Sequence, residues 1–253
     1  MVLPLAANIS TVFLERDFLD RIDAAAEAGF DAVECQFPYA VPAERIAERL
    51  RLCGMTMEVF NAPPGDPSRD ELGLAGLEGR EAEFRGSIEQ VIDYASALAA
   101  PRVHVPAGRG RISHALLVHN LAWAAERVGA HGVTVLTEPL NPMDRPGYSI
   151  ARFETALDLI AAVAAPNFKL MLDLYHWQKI GELAFEELLP LLPLVGHVQF
   201  AAVPDRGEPR AEDVELIARL EAAGYNGPIG CEYFPRTTTV EGLGWLELVR
   251  RMA

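Results

Sequence analysis

The chain has 253 residues, half of them apolar, and its 36 acidic against 22 basic residues give a formal net charge of −14. This length is enough for one domain with a full core, and the acidic balance disfavours nucleic acid or anionic membrane as a partner because no local basic patch offsets it. No apolar stretch is long enough to span a bilayer, and the N-terminus lacks the features of a signal peptide, which predicts a cytoplasmic protein.

The first half of the chain alternates predicted strands with predicted helices. Short apolar runs bounded by turn residues predict strands, and apolar residues spaced three or four apart predict helices, several of them closed by a glycine. The predicted strands cover residues 3–8, 31–37, 56–61 and 102–106, and the predicted helices cover 18–28, 42–53, 80–99 and 114–128. A long loop, 68–79, lies between the third strand and its helix, and loops of this length are more often functional than idle.

The second half continues the alternation. Predicted strands cover residues 134–138, 168–173, 194–199 and 228–232, and predicted helices cover 152–164, 185–192, 211–223 and 236–252. Eight strands that alternate with eight helical segments predict parallel strands joined by right-handed crossovers, which close into a single-domain (β/α)₈ TIM barrel over residues 1–253. An open doubly wound sheet is disfavoured because the turn after the first strand, NISTVFLE, lacks the GxGxxG pattern.

Four successive strands of the predicted barrel end on an oxygen-bearing side chain. The segment TVLTEPLN carries Glu138 to its end, where Pro139 cannot donate to a sheet ladder and stops the strand. The next three strands end in the same way, on Asp173, Gln199 and Glu232. One acid at a strand end is more often a structural carboxylate, but four such side chains at equivalent positions predict a metal site.

Alternation along each strand predicts where these side chains point. Residues two apart share a face, so Glu138 lies on the face of Leu136, while Val133 and Val135 lie on the opposite face, which suits the helix layer. The four oxygen ligands then point into the barrel mouth, at the C-terminal rim where barrel enzymes keep their sites. Converging carboxylates repel each other unless a cation lies between them, and oxygen ligands favour Mg²⁺ or Mn²⁺ over Zn²⁺. His197, two residues before Gln199, is an alternative ligand but is more typical of a core histidine bonded to a neighbour.

Long motifs along nearly the whole chain point to one family. They include AAEAGFDAVECQFPY, NAPPGD, GLEGREAEFR, DLYHWQ, YNGPIGCEYF and RTTTVEGLGW. On these motifs the chain resembles the hydroxypyruvate isomerase family of the xylose isomerase-like TIM barrels. The resemblance implies one divalent metal ion bound by Glu138, Asp173, Gln199 and Glu232. It also implies that Glu138 and Glu232 are the catalytic acid–base pair.

The implied reaction interconverts hydroxypyruvate and 2-hydroxy-3-oxopropanoate (tartronate semialdehyde), an aldose–ketose type isomerisation in carbohydrate and glyoxylate metabolism. One proton moves between adjacent carbons through an enediolate, with one glutamate taking it and the other delivering it, while the metal polarises the carbonyl. Two alternatives lie within the superfamily. A 2-oxo-tetronate isomerase applies the same chemistry to four carbons, and a sugar epimerase would need a more elaborate pocket.

Four further residues are candidates for binding the substrate. His176, three residues after Asp173, and Arg206 are candidates for steering and holding a carboxylate, which an arginine can bind through two parallel hydrogen bonds. The structural alternatives are a packing role at a helix start for His176 and a solvated loop position for Arg206. Asn61, at the end of the third strand, either lines the site or forms a turn with the PPGD that follows. Arg109 stands where a lysine is usual in the family, which keeps the cation but changes its geometry.

Two functions of a different class are also considered. An apurinic endonuclease on the same barrel needs several zinc-binding histidines and a basic groove, and the six histidines and acidic charge of this chain disfavour it. A catalytically inactive metal-binding protein is disfavoured by the complete set of four ligands. The expected partner is a small hydroxy-keto acid, with neither nucleic acid nor membrane. The aromatic loop residues Phe37, Tyr39 and Trp177 are candidates for contacts in a homo-oligomer.

Overall fold

The computed structural model describes residues 3–251, which form a closed barrel of eight parallel strands. The strands are β1 (Leu5–Asn8), β2 (Ala32–Cys35), β3 (Met57–Asn61), β4 (Arg102–His104), β5 (Thr134–Thr137), β6 (Phe168–Asp173), β7 (Val195–Phe200) and β8 (Ile229–Cys231). Each strand pairs with the next in chain order, and β1 also pairs with β8, which closes the sheet. The predicted (β/α)₈ barrel is therefore confirmed.

Helices fill the connections between the strands. They are α1 (Asp20–Ala28), α2 (Ala43–Cys53), α3 (Glu81–Leu98), α4 (His114–Gly129), α5 (Phe153–Val163), α6 (Leu174–Ile180), α7 (Phe185–Leu188), α8 (Ala211–Ala222) and α9 (Gly244–Arg251). Short 3₁₀ turns cover Pro67–Arg69, Leu189–Leu194 and Val240–Gly242. Of the helices within residues 3–251, none is long and apolar enough to cross a membrane.

Three helical segments differ from the prediction, each for a local reason. The sequence predicts a connection where α6 lies, because seven residues are too few to show a helical period, yet Asp173 caps this helix by accepting a backbone hydrogen bond at 2.8 Å. The helix predicted over 185–192 is α-helical only over α7, since Pro190 and Pro193 favour the 3₁₀ turn that follows. The last predicted helix begins only at Gly244, and its final residue, Met252, lies outside the described residues.

Two separate apolar clusters support the predicted orientation of the strand faces. Val59, Leu136 and Met171 form a small cluster of their own inside the barrel. Their apolar neighbours along the strands, Phe60, Val135, Leu170 and Leu172, belong instead to the main core between the barrel and the helices. Glu138 and Asp173 follow Leu136 and Met171 by two positions, and they therefore lie on the inward side at the end of each strand.

Candidate active site at the mouth of the barrel

The C-terminal ends of the strands surround a cavity, and most of the predicted site residues are found there. Its wall includes Asn61, His104, Glu138, His176, Arg206 and Glu232. Asp173 and Gln199 are buried beside this wall, where they bond to Arg206 and Glu232 respectively. The fold thus brings together the four predicted metal ligands and three of the four predicted substrate-binding residues.

Glu138 lies immediately after β5, and its carboxylate is almost entirely buried. No hydrogen bond reaches this carboxylate from any residue that the structure describes. It lies between two imidazoles, with His104 Nδ1 3.8 Å from Oε2 and His176 Nε2 3.9 Å from Oε1. Burial raises the pKa of Glu138 well above its ordinary value, and the charges of Asp173 and Glu232 raise it further. A nearby cation would favour the ionised form.

Glu232, immediately after β8, is held by four nitrogen donors. Its Oε2 accepts hydrogen bonds from Asn8 Nδ2 at 2.9 Å and from Gln199 Nε2 at 2.8 Å. Its Oε1 accepts one from Gln36 Nε2 at 3.0 Å and lies 2.9 Å from Arg206 Nη2. Because these donors come from four different parts of the barrel rim, they hold the carboxylate in one orientation.

Arg206 places a positive charge among the carboxylates. Its Nη2 donates to Asp173 Oδ2 at 2.8 Å and bridges that group to Glu232, while the guanidinium lies 5.1 Å from the ring centroid of Tyr175. Its φ of 56° is uncommon for a non-glycine residue, and a bond from Nε to the carbonyl of Glu232 at 3.1 Å helps to hold it. Burial raises the pKa of Asp173 to about 6, and Arg206 limits that rise. These contacts exclude a solvated loop position for Arg206.

His176, in the first turn of α6, directs an N–H into the cavity. Its Nδ1 accepts hydrogen bonds from the backbone N–H of Asn141 at 3.1 Å and from the side-chain amide of Asn141 at 2.8 Å. This network assigns the proton of the neutral ring to Nε2, which lies 3.7 Å from Asp173 Oδ2. Burial, reinforced by Arg206, lowers the pKa of His176 well below its ordinary value. The ring is therefore a neutral donor at the edge of the carboxylate cluster.

Asp144 supports this arrangement. Its carboxylate accepts hydrogen bonds from Asn141 at 2.9 Å, Lys179 at 2.7 Å and the hydroxyl of Tyr175 at 2.5 Å. Burial opposes ionisation, but these donors prevail and lower the pKa of Asp144. The backbone N–H of Asp144 also donates to Asn141 Oδ1 at 3.0 Å, so the amide that faces His176 cannot turn over without losing two bonds.

Glu34, on β2, is a buried acid that no sequence motif marks as a site residue. Its Oε1 accepts hydrogen bonds from Asn8 Nδ2 at 3.0 Å and Gln199 Nε2 at 2.6 Å, and its Oε2 lies 2.7 Å from His197 Nε2. Gly230 provides the room, since a Cβ there would lie 2.3 Å from Glu34 Oε2. The sequence signal that could have identified Glu34 is its position as an acid on the inward face of the strand in DAVECQF. The prediction that His197 is a core histidine bonded to a neighbour is confirmed.

Glu138, Asp173 and His176 form a cluster that could hold a metal ion, with one ligand atom from each lying within 4.8 Å of the others. Gln199 donates its amide hydrogens to two carboxylates, and its buried Oε1 has no hydrogen-bond partner within the described part of the chain. Because His176 carries a proton on Nε2, carboxylate and amide oxygens are better placed to act as ligands than this ring. Such an oxygen set fits a hard divalent cation.

A sequence model of the xylose isomerase-like TIM barrel family matches residues 22–249. The chain belongs to this family. It is 44% identical to 2-oxo-tetronate isomerase of Cupriavidus necator, with 96% of both chains covered. It is 38% identical to hydroxypyruvate isomerase of Escherichia coli K12, with 98% of this chain and 100% of that relative covered. The predicted membership of the hydroxypyruvate isomerase family is confirmed, and this family member is an isomerase-type enzyme.

Solved structures show the same fold. A crystal structure of a protein named AP endonuclease, family 2, from Brucella melitensis superimposes with a TM-score of 0.93 at 39% identity, covering 97% of this chain and 98% of that one. A 3-keto-D-glucoside 4-epimerase from Escherichia coli superimposes with a TM-score of 0.79 at 19% identity, covering 98% and 100% of the two chains. The second likeness concerns the fold alone.

The remaining candidates in this isomerase take different positions. Asn61 lines the cavity, as one of its two predicted roles requires. Arg109 does not appear in the described cavity wall, and its guanidinium pairs with Asp70 in the loop before α3, so its contact with substrate stays a prediction. Glu208 accepts a hydrogen bond from the backbone N–H of Arg236 at 2.7 Å and so fixes the segment after β8.

Proposed function

We propose that this isomerase interconverts hydroxypyruvate and 2-hydroxy-3-oxopropanoate by moving one proton between C3 and C2. The observation that carries the proposal is the pair of strand-end glutamates, Glu138 and Glu232, which line one cavity together with a buried arginine and an imidazole N–H donor. The carbonyl moves from C2 to C3 while a carbon-bound hydrogen moves the other way, so the reaction needs no oxidant or reductant. Two positioned acid–base groups are what such a transfer requires.

One divalent metal ion, Mg²⁺ or Mn²⁺, would be held by Glu138, Asp173, Gln199 and Glu232. The free Oε1 of Gln199 supports this assignment, as do the burial and the neighbouring carboxylate charges that raise the pKa values of Glu138 and Asp173. When bound, such an ion acts as a Lewis acid that polarises a carbonyl and offsets developing negative charge. Oxygen donors favour these two metals over zinc.

The two glutamates would share the proton transfer. One carboxylate removes a proton from C3, and the electron pair of that C–H bond forms the C2–C3 double bond of an enediolate. The other glutamate delivers a proton to C2, while the proton on O3 passes to O2 as the new carbonyl forms at C3. A positioned acid or base of this kind contributes about 10²–10⁴-fold to the rate.

Arg206 and His176 would bind the carboxylate of the substrate. Arg206 Nη1 lies 3.3 Å from His176 Nε2, so the guanidinium and the imidazole N–H converge on one place in the cavity wall. A carboxylate that enters there can accept from both groups, and charge-assisted bonds of this kind are stronger than neutral ones. The Nε2–H of His176 is also within reach of an oxygen that becomes negative during the reaction.

A four-carbon substrate is the second candidate. The relative with 44% identity is named 2-oxo-tetronate isomerase, against 38% for the relative named hydroxypyruvate isomerase. Both reactions move a carbonyl between C2 and C3 of a hydroxy-keto acid, and the longer substrate adds only a hydroxymethyl group. The same glutamates, metal ligands and carboxylate-binding residues would serve either acid.

Nucleic acid is not proposed as a substrate, although one of the solved structures bears the name AP endonuclease. A net charge of −14 repels the phosphate backbone, and the candidate metal ligands are mostly oxygens rather than the several histidines of a zinc site. We propose a small hydroxy-keto acid as the partner. The cytoplasmic location and a homo-oligomer stay predictions.

The test is isomerisation by purified protein that has been stripped of metal with a chelator and then given Mg²⁺ or Mn²⁺. We expect turnover of hydroxypyruvate only after metal is restored. Turnover of 2-oxo-tetronate alone would move the function to the four-carbon acid. Metal binding without turnover of either acid would leave a sugar epimerase or an inactive metal-binding protein, and a failure to bind metal would contradict the assigned ligand set.

A further inference from the structure

His104 is a buried polar residue in the cavity wall that the proposed reaction does not use. It is the last residue of β4, it pairs in register with Asn61 on β3 and Leu136 on β5, and only 3% of its surface is exposed. Both of its ring nitrogens are buried without a hydrogen-bond partner from any residue between 3 and 251. Buried polar groups in native proteins are almost always paired, so His104 needs a partner that enters the cavity.

The cavity has two chemically different sides, and Glu138 stands between them. His176 approaches one carboxylate oxygen of Glu138 at 3.9 Å, and His104 approaches the other at 3.8 Å. The side of His176 also holds Arg206, a largely buried guanidinium. The side of His104 holds Asn61, its register partner on β3, which is a neutral polar residue of the same cavity wall. A substrate whose carboxylate binds Arg206 therefore extends the other end of its carbon chain towards His104.

The two candidate substrates differ at that end. Hydroxypyruvate stops at C3, which is itself a reacting carbon, whereas the four-carbon acid carries a further C4 hydroxyl. A hydroxyl both donates and accepts, and a neutral imidazole offers one nitrogen of each kind. We propose that His104 binds the terminal hydroxyl of a four-carbon hydroxy-keto acid and so determines the preference of the enzyme for substrate length. This inference rests on the proposed function, since it concerns the substrate of the same site.

Three variants separate this role from a structural one. His104→Leu keeps a similar side-chain volume but removes both nitrogens, and His104→Asn keeps one donor and one acceptor. His119→Leu is the matched control, because His119 is an exposed histidine on α4. The parent protein and each variant are assayed with Mg²⁺ on hydroxypyruvate and on 2-oxo-tetronate.

We expect His104→Leu to lower kcat/KM for 2-oxo-tetronate at least about 10-fold, because the C4 hydroxyl would be buried without its imidazole partner. It should change kcat/KM for hydroxypyruvate, which has no C4 hydroxyl, by less than about 3-fold. His104→Asn should recover part of the difference, and His119→Leu should change neither value. The thermal midpoint of His104→Leu should be equal to or above that of the parent, since the variant buries no unpaired polar atom.

Binding of unreactive acids gives a readout that does not depend on turnover. Threonate carries a C4 hydroxyl and glycerate, which ends at C3, does not, and calorimetry on the Mg²⁺-loaded protein compares the two. We expect tighter binding of threonate in the parent protein and loss of that preference in His104→Leu. If the preference is present but neither keto acid is isomerised, the proposed reaction is wrong while the role of His104 stands.

Three results would overturn the inference. The first is a parallel fall of activity on both keto acids in His104→Leu, which would mean that His104 acts through Glu138 or on the fold. The second is an unchanged ratio between the two substrates, which would mean that water satisfies the ring. The third is equal binding of threonate and glycerate by the parent protein.

Discussion

The ends of β5 and β8 each present a glutamate to the same cavity, yet the two carboxylates are held in opposite ways. Glu232 is fixed by four nitrogen donors, one of them Arg206, whereas Glu138 receives no hydrogen bond from the described residues and lies between two imidazoles. The difference teaches that equivalent strand positions do not imply equivalent roles. Glu138 can change its protonation state without losing a hydrogen bond, whereas protonation of Glu232 disturbs its bonds to four donors around the barrel rim.

The largest effect is expected for Glu138→Gln, which removes the less constrained of the two proposed acid–base groups. Turnover should fall by about 10²–10⁴-fold, because an amide can neither take nor deliver the proton. The free energy of unfolding of the metal-free protein should stay equal or rise, because the substitution removes a buried, unpaired carboxyl group. Steady-state kinetics and urea unfolding measure the two quantities. Glu126→Gln, at an exposed glutamate on α4, is the control, and near-normal turnover in Glu138→Gln would remove Glu138 from the proton transfer.

Glu232→Gln sharpens the comparison because it should impair both turnover and stability. Turnover is again expected to be lost. The variant also weakens the bond to Arg206, and it places an amide N–H₂ donor where a carboxylate oxygen of Glu232 accepted hydrogen bonds. The free energy of unfolding should fall by about 2 kcal/mol, the size of a lost hydrogen bond to a charged group. Equal stabilities of Glu138→Gln and Glu232→Gln in urea would contradict the contrast between the two strand ends.

Glu34→Gln tests how far the hydrogen-bond network that fixes Glu232 extends into the barrel. The carboxylate of Glu34 holds the amide nitrogen of Gln199 at 2.6 Å and so leaves its Oε1 free to act as a ligand. An amide at position 34 allows Gln199 to turn over, and loss of such a supporting contact lowers metal affinity by about 10–100-fold. Titration with Mn²⁺, followed by electron paramagnetic resonance, measures the affinity. An unchanged dissociation constant would show that Gln199 is oriented without Glu34.

Asp144→Asn is expected to have the smallest effect. Asp144 supports His176, which lies beside Glu138, the less constrained of the two glutamates. The pKa of Asp144 is lower in the folded protein than in the unfolded chain, where it is about 3.9. Its ionised form therefore stabilises the fold at pH values above about 3.9. That stabilisation is lost as the pH falls through the pKa of the folded state. The variant should be about 1 kcal/mol less stable at pH 7, since the group is partly exposed. This difference should shrink in acid, as urea unfolding across pH would show. Asp158→Asn, at an exposed position on α5, should show no such difference.

Local patterns in the sequence were sufficient to predict the barrel and the convergence of the four strand-end side chains at its mouth. Alternation with period two and the proline after Glu138 fix where a strand stops and which way its last side chain points. Glu34 could not be assigned in this way, because its role depends on a contact with Gln199, 165 positions away in the chain. The donor role of His176 likewise depends on Asn141 and on α6, a helix too short to show a period.

The most direct measurement is isomerisation in D₂O with Mg²⁺ present, followed by nuclear magnetic resonance of the product. If Glu138 and Glu232 transfer the proton, 2-hydroxy-3-oxopropanoate formed from hydroxypyruvate carries deuterium at C2, because each carboxyl group exchanges its proton with solvent. A control without enzyme measures spontaneous exchange. A product that retains only the original hydrogen would contradict proton transfer by these two glutamates and would indicate a direct hydride shift between the carbons.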